Sequence, residues 1–404
     1  MFSLLGRAVP FFLLPVLTRY LTPEDYGYVA NFLVLVSLAI PFVGLNSHAA
    51  YARAFYLQDR FNISVYLGTV WIFAAVLGFI QVGIFWTFQR EIGDFFFFPS
   101  SWVILVPITA TSSVFTQLML TCWQVREMPR QFGFFQNFQT LTEAVSSVLL
   151  VVYWSFNWLG RVLSRSVASL FFACFSLFWS LRKGWLELKF DKQCLIHGLK
   201  YGFPLIPHSL AGIINGSVDR VFISHMVGPA DTGLYTVGYQ IGAIIGLMAG
   251  SFNQAYVPWL FEKLKKNDHD EKRSIVKFTY VYFVVILALS LILGFGAPWF
   301  LDFFLGKKFT KSSDFVIWIS LGYCFDGMYM MACNYIFFAE KTHVLALISL
   351  AGAFLNVILN YFFISWYGSI GAAQATAISF LLTFLMLWRY SSKVFKMPWA
   401  LWRE

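Results

Sequence analysis

The sequence contains few charged residues. Only 12% of its 404 residues are Asp, Glu, Lys or Arg, whereas 59% are hydrophobic. A soluble domain carries about a quarter charged residues, so this composition excludes a soluble globular protein. Apolar runs recur from end to end, and most are near the ~20 residues that a helix needs to cross a membrane. Strands of a membrane barrel need only about 10 residues. The sequence therefore predicts an all-α, polytopic membrane protein.

Cysteines and catalytic motifs are also scarce. The five cysteines show no paired or metal-ligand spacing and are predicted to be small buried hydrophobes; they are Cys122, Cys174, Cys194, Cys324 and Cys333. The sequence has no phosphate-binding GxxxxGK[ST] loop, no nucleophile elbow and no HExxH motif. We therefore expect no enzymatic activity, no cofactor and no metal. No cleavage site for a signal peptide follows the first apolar run.

Charged or Pro/Gly/Asn-rich loops divide the chain into about twelve predicted spans. They are 2–20, 27–48, 63–88, 101–125, 138–156, 161–181, 200–224, 234–257, 276–298, 314–338, 343–364 and 370–390. Loops after even-numbered spans, together with the tail, carry 17 cations: Arg53, Arg60, Arg126, Arg130, Arg182, Lys183, Lys189, Lys192, Lys263, Lys265, Lys266, Lys272, Arg273, Lys341, Lys393, Lys396 and Arg403. The other side has 5: Arg19, Arg90, Lys307, Lys308 and Lys311. Positive charge favours the cytoplasmic side, which places both termini in the cytoplasm.

A short turn motif occurs twice in the chain. TPEDYGYV at 22–29 is echoed by GPADTGLY at 228–235, and Pro23 maps to Pro229 at an offset of 206 (229 − 23 = 206). This offset is close to half the chain length, which indicates a duplication. Six spans in each half give both halves the same orientation. They are then related by pseudo-two-fold symmetry along the membrane normal, with a substrate site between them.

The duplication divides the chain into four predicted segments. They are an N-terminal lobe (1–183), a cytoplasmic amphipathic linker (184–199), a C-terminal lobe (200–391) and a cytoplasmic tail (392–404). The linker alternates cations with apolar residues, as segments lying on a membrane surface do; an ordinary basic loop is the alternative. The charged loop at 262–273 mixes both signs, which is typical of a solvated turn. We expect no nucleic-acid partner, despite the net charge of +9.

Polar residues form a stripe along the seventh span. Steps of seven, four, three and four place them on a single helix face; they are Tyr201, His208, Gly212, Asn215 and Asp219. This pattern predicts a wetted cavity wall, with hydrogen bonding between helices as the alternative. Successive residues point about 100° apart on a helix, so Asp219 and Arg220 are not expected to form a good pair with each other. Each is expected to bind another helix, water or a substrate.

Other ionisable residues also lie within the predicted spans, where a charge costs about 3 kcal/mol or more. Arg7 is too deep for easy snorkelling. Arg161 is expected to snorkel to the interface, and Arg165 lies one turn deeper. Glu143 forms a polar face with Gln136 and Gln139. A pair between Glu143 and Arg165 is disfavoured because they enter the membrane from opposite ends.

Three more polar residues lie in the C-terminal half. Asp326 occupies the middle of the tenth span, and Asn356 and Asn360 stack in the eleventh. For the asparagines we expect a role in helix association. Several buried cations favour an anionic ligand, since arginine binds phosphate oxygens at two points. A lone carboxylate among them has the chemistry to carry a proton or bind sodium.

Three segments resemble a known family. LLPVLTRYLTPEDYGYVANFLVLV, DRVFISHMVGPADTGLYTVGYQI and LNVILNYFFISWYGSIGAAQATAISFLLTF occur in this order. They are similar to the polysaccharide biosynthesis proteins of the Wzx flippase type, in the multidrug/oligosaccharidyl-lipid/polysaccharide exporter superfamily. The resemblance implies a two-lobed, twelve-helix transporter of the bacterial inner membrane. The resemblance further implies that such a protein moves undecaprenyl-diphosphate-linked oligosaccharide repeat units, for instance of O-antigen, to the periplasmic leaflet by alternating access driven by an ion gradient.

The resemblance also implies which residues line the cavity, because spans one, two, seven and eight surround it in that fold. The polar residues on those spans are Arg7, Asn46, His48, His208, Asn215, Asp219, Arg220, Asn253 and Gln254. Arg7, His208, Asn215 and Arg220 are predicted to bind substrate, and Asp219 to couple an ion. Expected partners are the lipid-linked oligosaccharide, membrane lipids and a polysaccharide polymerase or other assembly proteins.

Two other functions compete with this one. A cation-coupled multidrug exporter of the same superfamily favours an acidic cavity, whereas the buried charges here are largely cationic. A membrane-embedded polysaccharide polymerase favours long periplasmic loops, and every loop predicted on that side is short.

Overall fold

The described part of the chain in this computed structural model comprises residues 2–266, 268–339 and 341–400; within it, the side chains of 2–8, 10, 208, 215, 342, 343 and 346 are not described. All regular structure in these residues is helical. The contacts divide the chain into two compact units, Met1–His225 and Met226–Glu404. The first unit includes the seventh predicted span. The predicted boundaries at 183, 199 and 391 stay a prediction.

The first unit contains ten helices among its described residues. They are α1 (Phe2–Tyr20), α2 (Pro23–Gly44), α3 (Ser47–Phe55), α4 (Ile63–Thr87), α5 (Gln89–Phe95), α6 (Leu105–Val125), α7 (Pro129–Val148), α8 (Asn157–Arg182), α9 (Lys192–Gly202) and α10 (Ile206–Met226). Helix α6 lies at the centre and packs against α2, α3, α4 and α8, while α1 packs against α7. A π-helical turn at Leu149–Tyr153 continues α7.

The second unit contains six α-helices among its described residues. They are α11 (Pro229–Gly242), α12 (Ile244–Lys266), α13 (His269–Phe304), α14 (Ser313–Phe338), α15 (Thr342–Tyr367) and α16 (Ser369–Val394). Helix α14 is central and packs against α11, α12, α13 and α16. Small residues permit these close approaches, as is usual between membrane helices. An added Cβ at Gly242 of α11, for example, would collide with the Ile319 side chain of α14.

Each of the twelve predicted spans coincides with helix. Nine helical stretches of the described residues are long and apolar enough to cross a membrane, and these include α2, α4, α6, α8 and every helix of the second unit. The other three predicted spans correspond to α1, α7 and α10. The predicted fold class, an all-α protein that crosses the membrane many times, is confirmed.

The repeated turn motif begins a helix at both of its positions. Helix α2 starts at Pro23, where Thr22 and Asp25 form a reciprocal capping box. Helix α11 starts at Pro229 after Gly228, whose φ of 135° is open to glycine and strained for other residues. Helices α4 and α13 also begin at the same offset (269 − 63 = 206). The repeat therefore extends beyond the turn to the order and spacing of helices.

The segment after α8 is held against α4. The Glu187 amide donates to the Ser64 carbonyl oxygen at 3.1 Å, and the Thr69 hydroxyl donates to the Lys189 carbonyl oxygen at 3.2 Å. The side chains of Leu188 and Phe190 remain exposed. The first part of the predicted linker, residues 184–191, is therefore an ordered segment that lies on α4, and we call it the strap. The contact of the predicted linker with the inner leaflet stays a prediction.

The cysteines follow the prediction at four of five positions. Cys122, Cys194, Cys324 and Cys333 are free and buried, whereas Cys174 is free and exposed. The prediction of burial was wrong for Cys174 because its side of α8 lies on the surface of the unit, next to the exposed Phe171 and Phe178.

Candidate functional site

The seventh predicted span is two helices and not one. Helix α9 ends at Gly202, and a 3-10 turn at Phe203–Leu205 separates it from α10. Pro204 and Pro207 explain the break, because proline lacks the amide hydrogen that a continuous helix requires. Tyr201 therefore lies off the predicted stripe, and its ring packs under the Arg53 guanidinium at 5.3 Å.

The remaining stripe residues all lie in α10. The side chains of His208 and Asn215 are outside the described residues. Among the described residues, no heavy atom outside their own helix lies within 4 Å of a Cβ placed on Gly212 or Gly216. This face of α10 therefore has open space beside it within the described structure. Such space is consistent with a cavity wall.

The charged pair of α10 is almost completely buried. The Asp219 carboxylate accepts a hydrogen bond from the Arg220 amide at 2.9 Å, and the Arg220 guanidinium donates to the Gly216 carbonyl oxygen at 2.8 Å. Arg220 Nη1 lies 3.7 Å from Asp219 Oδ1. The two charges are therefore in contact, but this distance exceeds that of a hydrogen bond, which agrees with the expectation that they would not form a good pair. Arg220 makes this contact by folding back along its own helix.

Hydrogen bonds hold α10 at two levels, one to the turn between α2 and α3 and one to α2 itself. The Ser209 hydroxyl donates to the Asn46 side-chain oxygen at 3.0 Å, and the Ser224 hydroxyl donates to the Asn31 side-chain oxygen at 3.0 Å. The two serines are fifteen residues apart (224 − 209 = 15), or about 22 Å along the helix. These two contacts therefore fix α10 near both of its ends, with Asp219 between them.

A second charged cluster lies between α7 and α8. Glu143 contacts Arg161 Nη2 at 3.0 Å and Arg165 Nη1 at 2.6 Å. Arg161 Nη1 also donates to the Ser147 hydroxyl oxygen at 2.7 Å, and the Ser147 and Ser164 hydroxyl oxygens lie 2.5 Å apart. Two arginines thus share one carboxylate, which leaves the cluster with a net charge of +1.

Two predictions about this cluster were wrong. The Glu143–Arg165 pair was disfavoured on depth, and Arg161 was expected to snorkel. Helix α7 begins at Pro129, nine residues before the predicted start of that span at 138 (138 − 129 = 9), so Glu143 lies deep within the helix. Because α7 and α8 are joined by a short turn, Glu143 reaches the same depth as both arginines.

Other predicted polar residues also have partners. The Asn334 amide donates to the Asn253 side-chain oxygen at 2.8 Å, which joins α14 to α12. Asn360 Nδ2 donates to the Asn356 carbonyl oxygen and side-chain oxygen at 2.9 and 3.0 Å. These hydrogen bonds lie within α15, and both asparagines are buried, so their expected role in helix association stays a prediction. Gln254 is exposed on α12 and His48 is half-buried on α3.

The remaining site predictions concern Arg7 and bound ions. Arg7 belongs to α1, but its side chain is outside the described residues. Within the residues that the structure describes, no group of three His, Cys, Asp or Glu side chains could hold a metal ion. Asp326 lies in the middle of α14, and among the described residues no hydrogen bond or ion pair involves it.

Comparisons of sequence find relatives of similar length. Residues 16–314 match the family described as polysaccharide biosynthesis protein. An uncharacterised membrane protein of Haemophilus influenzae is 27% identical over 345 residues, which is 84% of this chain and 82% of the relative. The capsular polysaccharide biosynthesis protein CapF of Staphylococcus aureus is 23% identical over 419 residues and covers 97% of both chains.

Comparisons of structure find membrane transporters. The lipid II flippase MurJ in an inward closed conformation gives a TM-score of 0.77 at 17% identity, covering 97% of this chain and 87% of that one. An inward-facing multidrug resistance transporter of the MATE family gives 0.73 at 13% identity, covering 96% and 94%. At these identities the likeness is one of fold alone: the chain has a fold that flippases and drug exporters share.

Proposed function

Because this chain belongs to the polysaccharide biosynthesis protein family, we propose that it is a flippase for lipid-linked oligosaccharides. It moves undecaprenyl-diphosphate-linked repeat units from the cytoplasmic to the periplasmic leaflet of a bacterial inner membrane by alternating access. Both termini are cytoplasmic in this proposal. The family match over residues 16–314 is the observation that carries it. The fold in common with MurJ, whose name describes a lipid II flippase, supports it.

The chemistry of such a substrate agrees with the charges of the first unit. The acyl tail stays in the bilayer, the diphosphate favours cations, and the sugar requires a wet cavity. In this proposal Arg7 and Arg220 bind the diphosphate, while His208 and Asn215 bind polar groups of the substrate. Arginine suits the diphosphate because its planar fork matches pairs of phosphate oxygens.

Asp219 has a different role in this proposal, which is to couple transport to an ion. Its carboxylate is buried beside Arg220, so gain of a proton or sodium ion would change the field around the guanidinium. A change in that field would alter how firmly Arg220 holds a phosphate. Membrane lipids and a polysaccharide polymerase or other assembly proteins are the partners that the proposal includes.

A complementation assay tests the function. The chain is expressed in a flippase-null strain, and surface polysaccharide is measured together with the side of the membrane on which lipid-linked repeat units accumulate. We expect restored polysaccharide with the wild type and cytoplasmic-side accumulation with Arg220→Gln. Lys341→Gln, which neutralises an exposed residue between α14 and α15, is the control. Full restoration by an Arg7→Gln, Arg220→Gln double variant would rule out the proposed role of these arginines.

The multidrug exporter is the second candidate, since the fold also matches a MATE transporter. It predicts increased drug resistance in cells that express the chain. Resistance without any effect on lipid-linked sugars would favour this candidate. A polymerase, by contrast, would leave flipped but unpolymerised repeat units in a deletion strain.

A further inference from the structure

The cluster of Glu143, Arg161 and Arg165 carries more positive charge than a helix-pairing role requires. One arginine suffices to neutralise Glu143 between α7 and α8. The second arginine adds an uncompensated charge at a depth where charges are costly. Residues with such a cost are functional candidates, and the shape of this cluster indicates which chemistry it serves.

Arg161 and Arg165 differ in their contacts and in the exposed fraction of their side chains. Arg161 contacts both Glu143 and Ser147, and 17% of its side chain is exposed. Arg165 contacts Glu143 through Nη1 alone, and 36% of its side chain is exposed. Its Nε atom is buried and has no hydrogen-bond partner among the described residues. Nε is out of reach of a ligand, but the exposed fraction of the side chain leaves an open side from which a ligand can approach the terminal nitrogens.

The cluster lies inside the membrane but within reach of one of its interfaces. Arg165 follows the first residue of α8 by eight positions (165 − 157 = 8), or about 12 Å. The turn that joins α7 to α8 carries exposed aromatic residues, namely Tyr153, Trp154 and Phe156. Aromatic residues of this kind mark the level of lipid headgroups. The guanidinium of Arg165 is thus within a few helical turns of the headgroup phosphates.

We propose that Arg165 binds a lipid phosphate at the end of the first unit where α7 joins α8, and that Glu143 and Arg161 are positioning residues. Glu143 holds Nη1 of the Arg165 guanidinium, so that the exposed part of the group faces the ligand. Phosphate is the anion that lipids supply at this level, and the guanidinium fork matches its oxygens. Two sources carry this chemistry, the lipid-linked diphosphate and a bulk anionic phospholipid. The first source rests on the proposed function, whereas the second does not.

Lipid binding to the purified full-length chain tests the proposal. The protein is kept in a phosphate-free maltoside detergent and titrated with undecaprenyl diphosphate or with phosphatidylglycerol, and binding is followed by native mass spectrometry and thermal shift. We expect Arg165→Gln to weaken binding about tenfold, as for loss of one charge-assisted hydrogen bond. Arg182→Gln, in the last turn of the same helix, is the control and should bind as the wild type does.

Two further variants separate binding from folding. Arg165→Lys keeps the charge near Glu143 but lacks the fork, so we expect a normal melting temperature with intermediate affinity. Glu143→Gln should melt at a lower temperature than the wild type without lipid. Its melting temperature should nevertheless gain more on adding lipid, because both arginines become available to phosphate. A purely structural cluster predicts no such gain. Equal affinity of folded Arg165→Gln and Arg182→Gln, or of Glu143→Gln and wild type, would overturn the proposal.

The two lipids distinguish the sources. Preference for undecaprenyl diphosphate identifies the lipid-linked diphosphate as the ligand, whereas equal binding of phosphatidylglycerol identifies bulk phospholipid; failure of both to bind contradicts the proposal. Complementation of the flippase-null strain is measured in parallel. A wild-type chain that binds lipid phosphate through Arg165 but does not restore polysaccharide would refute the proposed function and leave this inference intact.

Discussion

The Ser224 hydroxyl of α10 donates a hydrogen bond to the Asn31 side-chain oxygen of α2 at 3.0 Å, and the two residues are 193 positions apart in the chain. Asn31 is buried, and its amide also donates to the Phe97 carbonyl oxygen at 3.4 Å. One asparagine thereby links α2 both to α10 and to the loop after α5. This link sets the position of the helix that carries Asp219 and Arg220.

Substitution of Asn31 should therefore affect both stability and transport. Asn31→Leu keeps the branched shape of the side chain but removes both hydrogen bonds, and we expect a loss of about 1–2 kcal/mol, since hydrogen bonds between membrane helices contribute about 0.6–1.7 kcal/mol each. Thermal unfolding in detergent measures the loss. Ser37→Ala on the same helix, which removes a bond to its own helix carbonyl, is the control. Equal melting temperatures for the two variants would show that the Asn31 link is dispensable.

The guanidinium of Arg126 leads to a second prediction. It lies 4.4 Å from the ring centre of Trp185 and 5.0 Å from that of Phe55, and it donates to the Tyr51 hydroxyl oxygen at 2.8 Å. Lysine keeps the charge but has no planar group to stack between two rings. We expect Arg126→Lys to destabilise the strap by about 1–2 kcal/mol, in the range of a desolvated cation–π contact.

Hydrogen exchange of the amides at 185–191 measures this effect, because local opening increases with loss of the contact. Arg130→Lys changes an exposed arginine four positions along the chain and should leave the exchange unchanged. If both variants exchange as the wild type does, stacking by Arg126 does not hold the strap.

His197 of α9 predicts a response to pH. Its Nδ1 lies 3.0 Å from the Tyr66 hydroxyl oxygen. Partial burial, and then the nearby charge of Arg53, lowers the pKa of His197 below its ordinary value of 6.5. A lowered pKa means that the folded state binds the proton less tightly than the unfolded state does. Stability from this group is therefore present above pH 6.5 and decreases as the pH falls through the folded-state pKa.

Intrinsic amide exchange slows as the pH falls, so exchange rates are first corrected for it. We expect the corrected exchange in α9 to show an additional acceleration when the pH is lowered from 7.5 to 5.5. His197→Gln removes the titrating group and should abolish the additional acceleration. His269→Gln, at the start of α13, serves as the matched control and should retain it. A wild-type α9 with no additional acceleration would contradict the assignment.

Much of the fold could be predicted from the sequence, because helix length and apolar content are local properties. The all-α membrane fold and the family resemblance were confirmed, and each predicted span coincides with helix, although several boundaries differ. The charge cluster was missed because depth was measured from a predicted boundary, and the start of α7 at Pro129 shifts Glu143 inward. Proline at a first helical position is a signal that could have corrected this error.

Contacts between distant segments could not be predicted in the same way. Nothing in the local sequence relates Ser224 to Asn31, since their meeting depends on how α10 packs against α2. The break between α9 and α10 had a visible signal in Pro204 and Pro207. The helical spacing of the polar residues was given more weight than the two prolines. Tyr201 was consequently assigned to the helix of Asp219, whereas it lies in α9.

Gly68 of α4 gives the last prediction, because the strap crosses the helix at this glycine. A Cβ added to Gly68 would come closer than 3.0 Å to the carbonyl oxygen of Glu187, a backbone atom that cannot rotate away. We expect Gly68→Ala to destabilise the chain by about 1–3 kcal/mol, as overpacking does, and to displace the strap. Gly83→Ala on the same helix is the matched control. No described atom lies within 4 Å of its added Cβ, so alanine should be neutral or slightly stabilising there. Thermal unfolding and hydrogen exchange at 185–191 distinguish the two variants, and an undisturbed strap in Gly68→Ala would mean that the segment does not pack on α4.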